Sequence, residues 1–227
     1  MQSEFSKLII FDVDGTLNQT ERYAVAAYRK ALGEYKRDEY SDEELKNRIG
    51  APFSEDLKFF FEQDDDLSER FFQTVSEYWF EGMKKNAAPF PGTAKMLEQL
   101  KELGYKTAVC SNAFQEELEC LLKTLNLKDK FDYIQALTQE GTKIHSLEML
   151  LDKCRPVWAV MVGDRIYDLE AAKANSLPFI GCLYGYSAPG ELDECKYSVS
   201  DVSEIPRIIE QIFGDSFKIY IDNALHL

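Results

Sequence analysis

The feature that most restricts the fold is a repeated unit: a short, continuous apolar run that ends in a polar or acidic residue, followed by a helical pattern. Lys7-Leu8-Ile9-Ile10-Phe11 runs into Asp12, Lys106-Thr107-Ala108-Val109-Cys110 into Ser111, and Val157 through Val162 into Gly163-Asp164. Pro178-Phe179-Ile180-Gly181-Cys182-Leu183 makes a fourth run. Strands without polar alternation have no face for water, so both faces must be covered, as in a parallel sheet between helices. The intervening segments can supply that cover. Met96, Leu97, Leu100 and Leu103 ahead of Gly104, then Phe114, Leu118, Leu121, Leu122 and Leu125, and finally Ile205, Ile208, Ile209, Ile212 and Phe213 recur at helical spacing. The pattern predicts an α/β fold with a doubly wound parallel sheet. Ligands are then expected beyond the carboxyl ends of the strands.

One stretch interrupts the alternation. Residues 18–88 show no convincing strand, only helical patterns such as Val25, Tyr28 and Leu32, and ten aromatic residues lie between Phe53 and Phe90. An aromatic core of its own fits a helical domain inserted after the first strand, with Pro89-Phe90-Pro91-Gly92 marking the return. The expected division is a core domain of residues 1–17 and 89–227 and a helical domain of residues 18–88.

The 227 residues carry 26 Lys+Arg against 40 Asp+Glu, a formal charge of −14. That balance excludes a general nucleic-acid binder and disfavours anionic lipid, since both need clustered cations. No apolar run reaches the roughly 18–20 residues that span a bilayer, and Met1-Gln2-Ser3-Glu4 opens no basic-then-apolar leader. Cys110, Cys120, Cys154, Cys182 and Cys195 are odd in number and form no CxxC pair, which predicts free thiols and a cytoplasmic protein.

The chemistry is concentrated where the runs end. Asp12-Val13-Asp14-Gly15-Thr16 delivers two carboxylates two residues apart, followed by a glycine and a hydroxyl. Alternate residues of an extended chain share a face, so the two acids can face one site, where they repel each other unless a cation lies between them. Oxygen-only donors favour a hard cation such as Mg²⁺. Taken alone, the motif is equally an Asx-type turn. Asp164 adds an acid at another strand end, and Asp168 sits where it is also expected as the N-cap of a helix running Leu169 to Ala174. Ser111-Asn112 ends a strand and opens a helix, a place where N–H groups and a hydroxyl bind anions or simply cap. Lys143 follows Gly141-Thr142 at a helix start, the unfavourable end for a cation, and a site anion would account for it.

Asp12-Val13-Asp14-Gly15-Thr16-Leu17, Ser111-Asn112, Lys143 and Gly163-Asp164-Arg165-Ile166-Tyr167-Asp168 resemble, in order, the four motifs of the haloacid dehalogenase (HAD) superfamily. The helical insert resembles the C1 cap of the branch that contains phosphoglycolate phosphatase and β-phosphoglucomutase. The resemblance implies a Rossmann-like core and a phosphatase acting on a small phosphorylated metabolite. Asp12 would be the nucleophile that forms an aspartyl-phosphate, and Asp14 the general acid and then base. Ser111, Asn112 and Lys143 would hold the transferring oxygens. Mg²⁺ would be held by Asp12, Asp164 and the backbone carbonyl of Asp14, with Asp168 in support.

Departures from the branch pattern lie outside these residues: Gln19 stands where an acid is common, and Ile144 where proline is common. Arg48, in Arg48-Ile49-Gly50-Ala51-Pro52, resembles part of the branch's specificity loop, which implies a contact to a second anionic group on the substrate, although an exposed helix arginine is the simpler expectation. His145 and His226 show no partner pattern, Asp64-Asp65-Asp66 reads as a solvated loop, and Tyr184-Gly185-Tyr186 as a surface turn or a border of the site. A phosphoryl-transferring sugar-phosphate mutase and a binding protein on the same scaffold are the alternatives to a phosphatase. The oligomeric state, monomer or homodimer, is left open.

Overall fold

The computed structural model describes residues 6–61, 65–138 and 141–225. Its frame is a six-stranded sheet in which every neighbouring pair is parallel, in the order β3-β2-β1-β4-β5-β6. The strands are β1 (Lys7–Phe11), β2 (Lys106–Cys110), β3 (Tyr133–Gln135), β4 (Trp158–Gly163), β5 (Phe179–Cys182) and β6 (Tyr197–Val199). The four apolar runs are the central strands. The two edge strands, of three residues each, were not legible as strands, because so short a run has no periodicity to detect.

Alternation within each strand sorts its side chains onto two cores. Ile9, Phe11, Val109, Val160, Val162 and Ile180 pack under α5 (Thr93–Glu102), α6 (Gln115–Thr124) and α9 (Ile205–Leu225). Leu8, Ile10, Ala108, Met161 and Phe179 pack under α7 (Lys143–Cys154) and α8 (Ile166–Ala174). Both faces are therefore dry, as the uninterrupted apolar runs require. Two residues expected on these helix faces do not pack there. Leu103, the C-cap of α5, and Phe114, the N-cap of α6, are each 47% exposed.

Residues 21–86 form four helices, α1 (Glu21–Glu34), α2 (Asp42–Lys46), α3 (Phe53–Phe61) and α4 (Asp65–Asn86). They enclose a cluster of their own, with Tyr28, Leu32, Leu45, Phe60, Phe61, Phe71 and Val75 at its centre. Phe60 and Phe61 meet Phe71 at a tilt, as aromatic quadrupoles favour, with ring centres 5.4 and 5.0 Å away. Asp65 and Asp66, expected in a solvated loop, belong to the first turn of α4; Asp64 and His226 lie outside the described residues. The chain leaves and re-enters the sheet side by side. The Gln19 N–H donates to the Ala88 carbonyl at 2.9 Å, and the Phe90 N–H to Leu17 at 2.9 Å. The Gln19 side chain adds a 2.9 Å bond to the Pro89 carbonyl, so the glutamine that replaces an acid ties the crossing together.

Among the described residues no helix is long and apolar enough to cross a membrane, and all five cysteines are free. Phe60 has no exposed surface and lies at the centre of the insert's ring cluster. Phe60→Ala is expected to lower the unfolding free energy by about 3–5 kcal/mol, read from urea unfolding. A loss below about 1 kcal/mol would show that the cluster is not a packed core.

Candidate active site

Strand order reverses between β1 and β4. The chain builds outward from β1 through β2 to β3, then returns to β4 on the other flank, which opens a crevice at the carboxyl edge of the sheet. Asp12 immediately follows β1 and is held in line by its N–H, which donates to the Val162 carbonyl of β4 at 2.9 Å. Asp164 immediately follows β4, Ser111 follows β2, and Lys143 is the first residue of α7. Adjacent parallel strands thus bring together residues more than a hundred positions apart.

Asp12, Asp164 and Asp168 each place a carboxylate oxygen within 4.8 Å of the other two, and all three are buried. Asp164 is held by two donors, the Thr16 hydroxyl at 3.0 Å and the Tyr186 N–H at 2.7 Å. Asp168 accepts the Arg165 N–H at 3.0 Å and pairs with the Lys143 ammonium at 2.5 Å. Lys143 also pairs with Asp12. Asp168 is therefore not the N-cap of a helix beginning at Leu169. That helix starts at Ile166, Arg165 is its N-cap, and Asp168 is the third helical residue, reaching back to the N-cap N–H. Reaching back leaves its other oxygen free for Lys143.

The electrostatics follow from burial. Removal from water pushes the Asp12 carboxyl up to about 7, with Lys143 opposing and the charges of Asp168 and Asp14 adding to the rise. Asp164 is pushed well above its ordinary value, by burial first and then by Asp12 and Asp168. Burial acts against the Lys143 charge, but the carboxylates of Asp12 and Asp168 outweigh it and hold the ammonium above its ordinary value. Three buried acids with one lysine lack positive charge, and a divalent cation at their shared oxygens would supply it.

Asp14 has different surroundings. Its carboxylate is not one of the three; it accepts the Thr20 hydroxyl at 2.5 Å and lines a cavity. Burial raises its carboxyl, and the hydrogen bonds of Thr20 and Asn18 and the charge of Lys143 oppose the rise. The cavity, about 530 Å³, lies between the helical insert and the strand ends, lined by Asp14, Asn112 and Glu117 from the sheet side and Arg48, Asp56 and Trp79 from the insert.

Ser111 is buried, its Oγ accepting the Ala113 N–H at 3.1 Å, while the Asn112 side chain donates to the Gly50 carbonyl of the insert at 3.0 Å. Neither opens a helix directly, since α6 begins at Gln115. Arg48 is neither exposed nor helical: it follows α2, keeps 16% of its side chain exposed and pairs with Asp56 at 2.8 Å. Tyr184-Gly185-Tyr186 borders the site rather than forming a surface turn. The Tyr184 hydroxyl donates to the Thr16 carbonyl at 2.9 Å, and the Tyr186 hydroxyl accepts the Glu21 N–H at 2.9 Å. His145 lies beside Glu148, 3.2 Å away, apart from this site. Asp56, Glu117, Thr20 and Arg165 were not anticipated, because a single polar residue on an amphipathic helix or in a loop reads as solvated. Arg165 nonetheless joins the two halves, pairing with Glu191 at 2.9 Å and donating to the Ile49 carbonyl of the insert.

Gly15 makes the crevice tight. Its φ is +85°, and a Cβ there would lie 2.1 Å from Asp164 Oδ2 and 2.7 Å from the Tyr186 ring. Gly15→Ala is expected to cost about 2–4 kcal/mol of stability, from strain at positive φ and from displacing a buried carboxylate. Denaturant unfolding reads it, and an unchanged midpoint would mean that the loop gives way freely.

The family model for haloacid dehalogenase-like hydrolases matches residues 9–182. A phosphoglycolate phosphatase from Aquifex aeolicus is 30% identical over 187 residues, covering 79% of this chain and 86% of the relative. A glyceraldehyde 3-phosphate phosphatase from Pyrococcus furiosus is 26% identical over 221 residues, covering 90% and 92%. In fold, the crystal structure of a predicted phosphatase from Clostridium acetobutylicum superposes with a TM-score of 0.83 at 24% identity, covering 92% of this chain and 100% of that one. With the motif residues gathered at one sheet edge and the family model spanning most of the sequence, this chain is a member of the haloacid dehalogenase-like hydrolase family.

Proposed function

We propose that the chain is a Mg²⁺-dependent phosphatase that hydrolyses a small phosphomonoester through a phosphorylated Asp12, with residues 18–88 acting as the cap over residues 1–17 and 89–227. The observation that carries this reading is the unequal surroundings of two acids two residues apart. Asp12 is ion-paired with Lys143, which favours the ionised form a nucleophile needs. Asp14 stands outside the three clustered acids and faces the cavity, which places its carboxyl where a departing alcohol would take a proton. The two phosphatase relatives, named for phosphoglycolate and glyceraldehyde 3-phosphate, support a small substrate.

In the first step an Asp12 oxygen bonds to phosphorus as the ester P–O bond breaks, and Asp14 gives its proton to the departing alkoxide. In the second, Asp14 takes a proton from water as that water's oxygen bonds to phosphorus, the bond to Asp12 breaks and phosphate leaves. Lys143 offsets the charge of the transferring oxygens, with Ser111 and Asn112 at the neighbouring strand end. Asp12, Asp164 and Asp168 suit a hard cation, being buried, oxygen-only and mutually repulsive, and the Asp14 backbone carbonyl would complete the set. Bound Mg²⁺ would supply the positive charge that lets a phosphate dianion approach these carboxylates.

Hydrolysis of p-nitrophenyl phosphate is expected with Mg²⁺ and not with EDTA, and Asp12→Asn should reduce kcat by about a thousandfold or more while leaving the unfolding midpoint near wild type. Substantial turnover by that variant would remove Asp12 as nucleophile. Return of the phosphoryl group to a sugar phosphate, without net release, would mark a mutase instead.

A pH signature follows for the metal-free protein. Between about 4 and about 7 the folded Asp12 holds a proton that the unfolded chain releases, because its pKa rises from 3.8 to about 7. The native state then binds more protons, so stability in EDTA should fall as pH rises through that window. Mg²⁺ favours the ionised carboxylates, so its increase in Tm should be larger at about pH 7.5 than at about pH 5. Equal shifts at both would mean that these acids do not hold the metal.

A further inference from the structure

The proposed phosphoryl transfer uses Asp14 at one end of the 530 Å³ cavity and leaves the groups at its other walls without a task. Most of those walls are apolar. Phe72 of α4 lies 4.5 Å from Phe53 and 5.8 Å from Phe114, so rings continue from the insert across to the sheet side, with Trp79 and Phe80 beside them. Space of that kind suits an aromatic or aliphatic body larger than a two-carbon acid.

The polar groups on those walls are arranged against a second anion. Arg48 is the one cation lining the cavity among the described residues, and its charge is already matched. Its Nε pairs with Asp56 at 2.8 Å, and Asp56 also accepts the Tyr28 hydroxyl at 2.5 Å. Glu117, the third residue of α6, faces the same cavity from the sheet side. An acid at that helix position commonly reaches back to the N-cap backbone, here Phe114, and one carboxyl oxygen suffices for that. The groups acting on its carboxyl are Asp14, Trp79 and the Phe114 backbone, none of them a cation, and burial pushes it up to about 8. The Trp79 indole N–H faces the Glu117 carboxyl, and Arg48 Nη2 is buried without a hydrogen-bond partner. A ligand that brought a carboxylate or a second phosphate here would find no unmatched cation, and a charge left unpaired in a dry site is strongly unfavourable.

Building on the phosphatase reading, we infer that this cavity selects phosphomonoesters whose leaving alcohol is an apolar, ring-sized body bearing a hydrogen-bond donor, hydroxyl or amine, which Glu117 accepts, and rejects leaving groups that carry a second negative charge. Glu117 is then the specificity-determining residue. The carboxylate of phosphoglycolate makes it a poor substrate for this chain, although a relative is named for it.

The test uses phenyl phosphates that differ only at the para position, 4-methyl, 4-hydroxymethyl, 4-aminomethyl and 4-carboxymethyl, alongside 2-phosphoglycolate and p-nitrophenyl phosphate. In wild type, kcat/KM for the hydroxymethyl or aminomethyl ester should exceed that of the methyl ester by about tenfold or more, with the carboxymethyl ester and phosphoglycolate lowest. Whichever of the two donors ranks first identifies the group that Glu117 takes. Glu117→Gln should keep the hydroxymethyl preference and lose any aminomethyl preference, and Glu117→Leu should lose both, with the urea unfolding midpoint and circular dichroism reporting that each variant is folded. An anionic ester ranked first in wild type, or a ranking unchanged in both variants, would overturn the inference. If no ester is turned over with Mg²⁺, p-nitrophenyl phosphate included, the phosphatase reading itself fails and takes this inference with it.

Discussion

The site depends on one buried cation. Lys143 stands at the start of α7, where the helix dipole opposes it, and burial opposes it further. It stays charged because Asp12 and Asp168 lie against it from two other elements. The dependence is mutual. Without Lys143 the acids would sit uncompensated in a dry crevice, a situation that costs several kcal/mol and ordinarily ends in protonation. The pairing therefore sets the spacing of the loop after β1 and the first turns of α7 and α8 as much as it sets their charge.

The sheet makes that convergence cheap in conformational terms. Parallel strands point their carboxyl ends one way, and the reversal of order between β1 and β4 leaves room beyond those ends for short loops carrying acids. Gly15 and Gly185 let backbone approach where a side chain would strike Asp164, with a Cβ at 2.1 and 2.3 Å from its atoms. Tyr184 and Tyr186, one residue on either side of Gly185, fasten that loop to Thr16 and to the start of α1. The floor of the crevice and the entry to the insert are thus braced by the same segment. Asn112 and Arg165 then reach from the floor to the carbonyls of Gly50 and Ile49, so the insert's loop is held by residues adjacent to the carboxylates.

How much was legible depended on how far each signal extends along the chain. Four continuous apolar runs specified four strands, because a buried parallel strand requires several apolar residues in succession. Three-residue edge strands carry no such run and were missed. Asp12, Asp14, Lys143, Asp164 and Asp168 were recognisable because each sits at the end of a strand or the start of a helix, within a motif whose order along the chain is itself a signal. Their partners were less so. Asp168 was placed one turn out of phase, since a helix boundary is blurred by a residue or two until its cap is seen. Arg48 read as a solvated arginine, and Asp56 and Glu117 did not stand out at all, because the neighbours that enclose them come from segments distant in sequence.

The sequence by itself determined the class of fold, the presence of a helical insert rich in aromatic residues, and which carboxylates and lysine cluster at the sheet edge. The fold class and the insert follow from local periodicity and turn-forming residues, and the set of carboxylates and lysine from the resemblance of their motifs, in order, to the haloacid dehalogenase superfamily. Only the tertiary structure decided that Asp14 parts company with the other acids to face a cavity, that Arg48 is neutralised by Asp56, and that Glu117 meets the same space with no cation acting on it. Those facts are matters of distance and burial between segments as far apart as residues 14, 48 and 117. Charge in a dry pocket is set by such neighbours, which residue order along the chain does not encode locally.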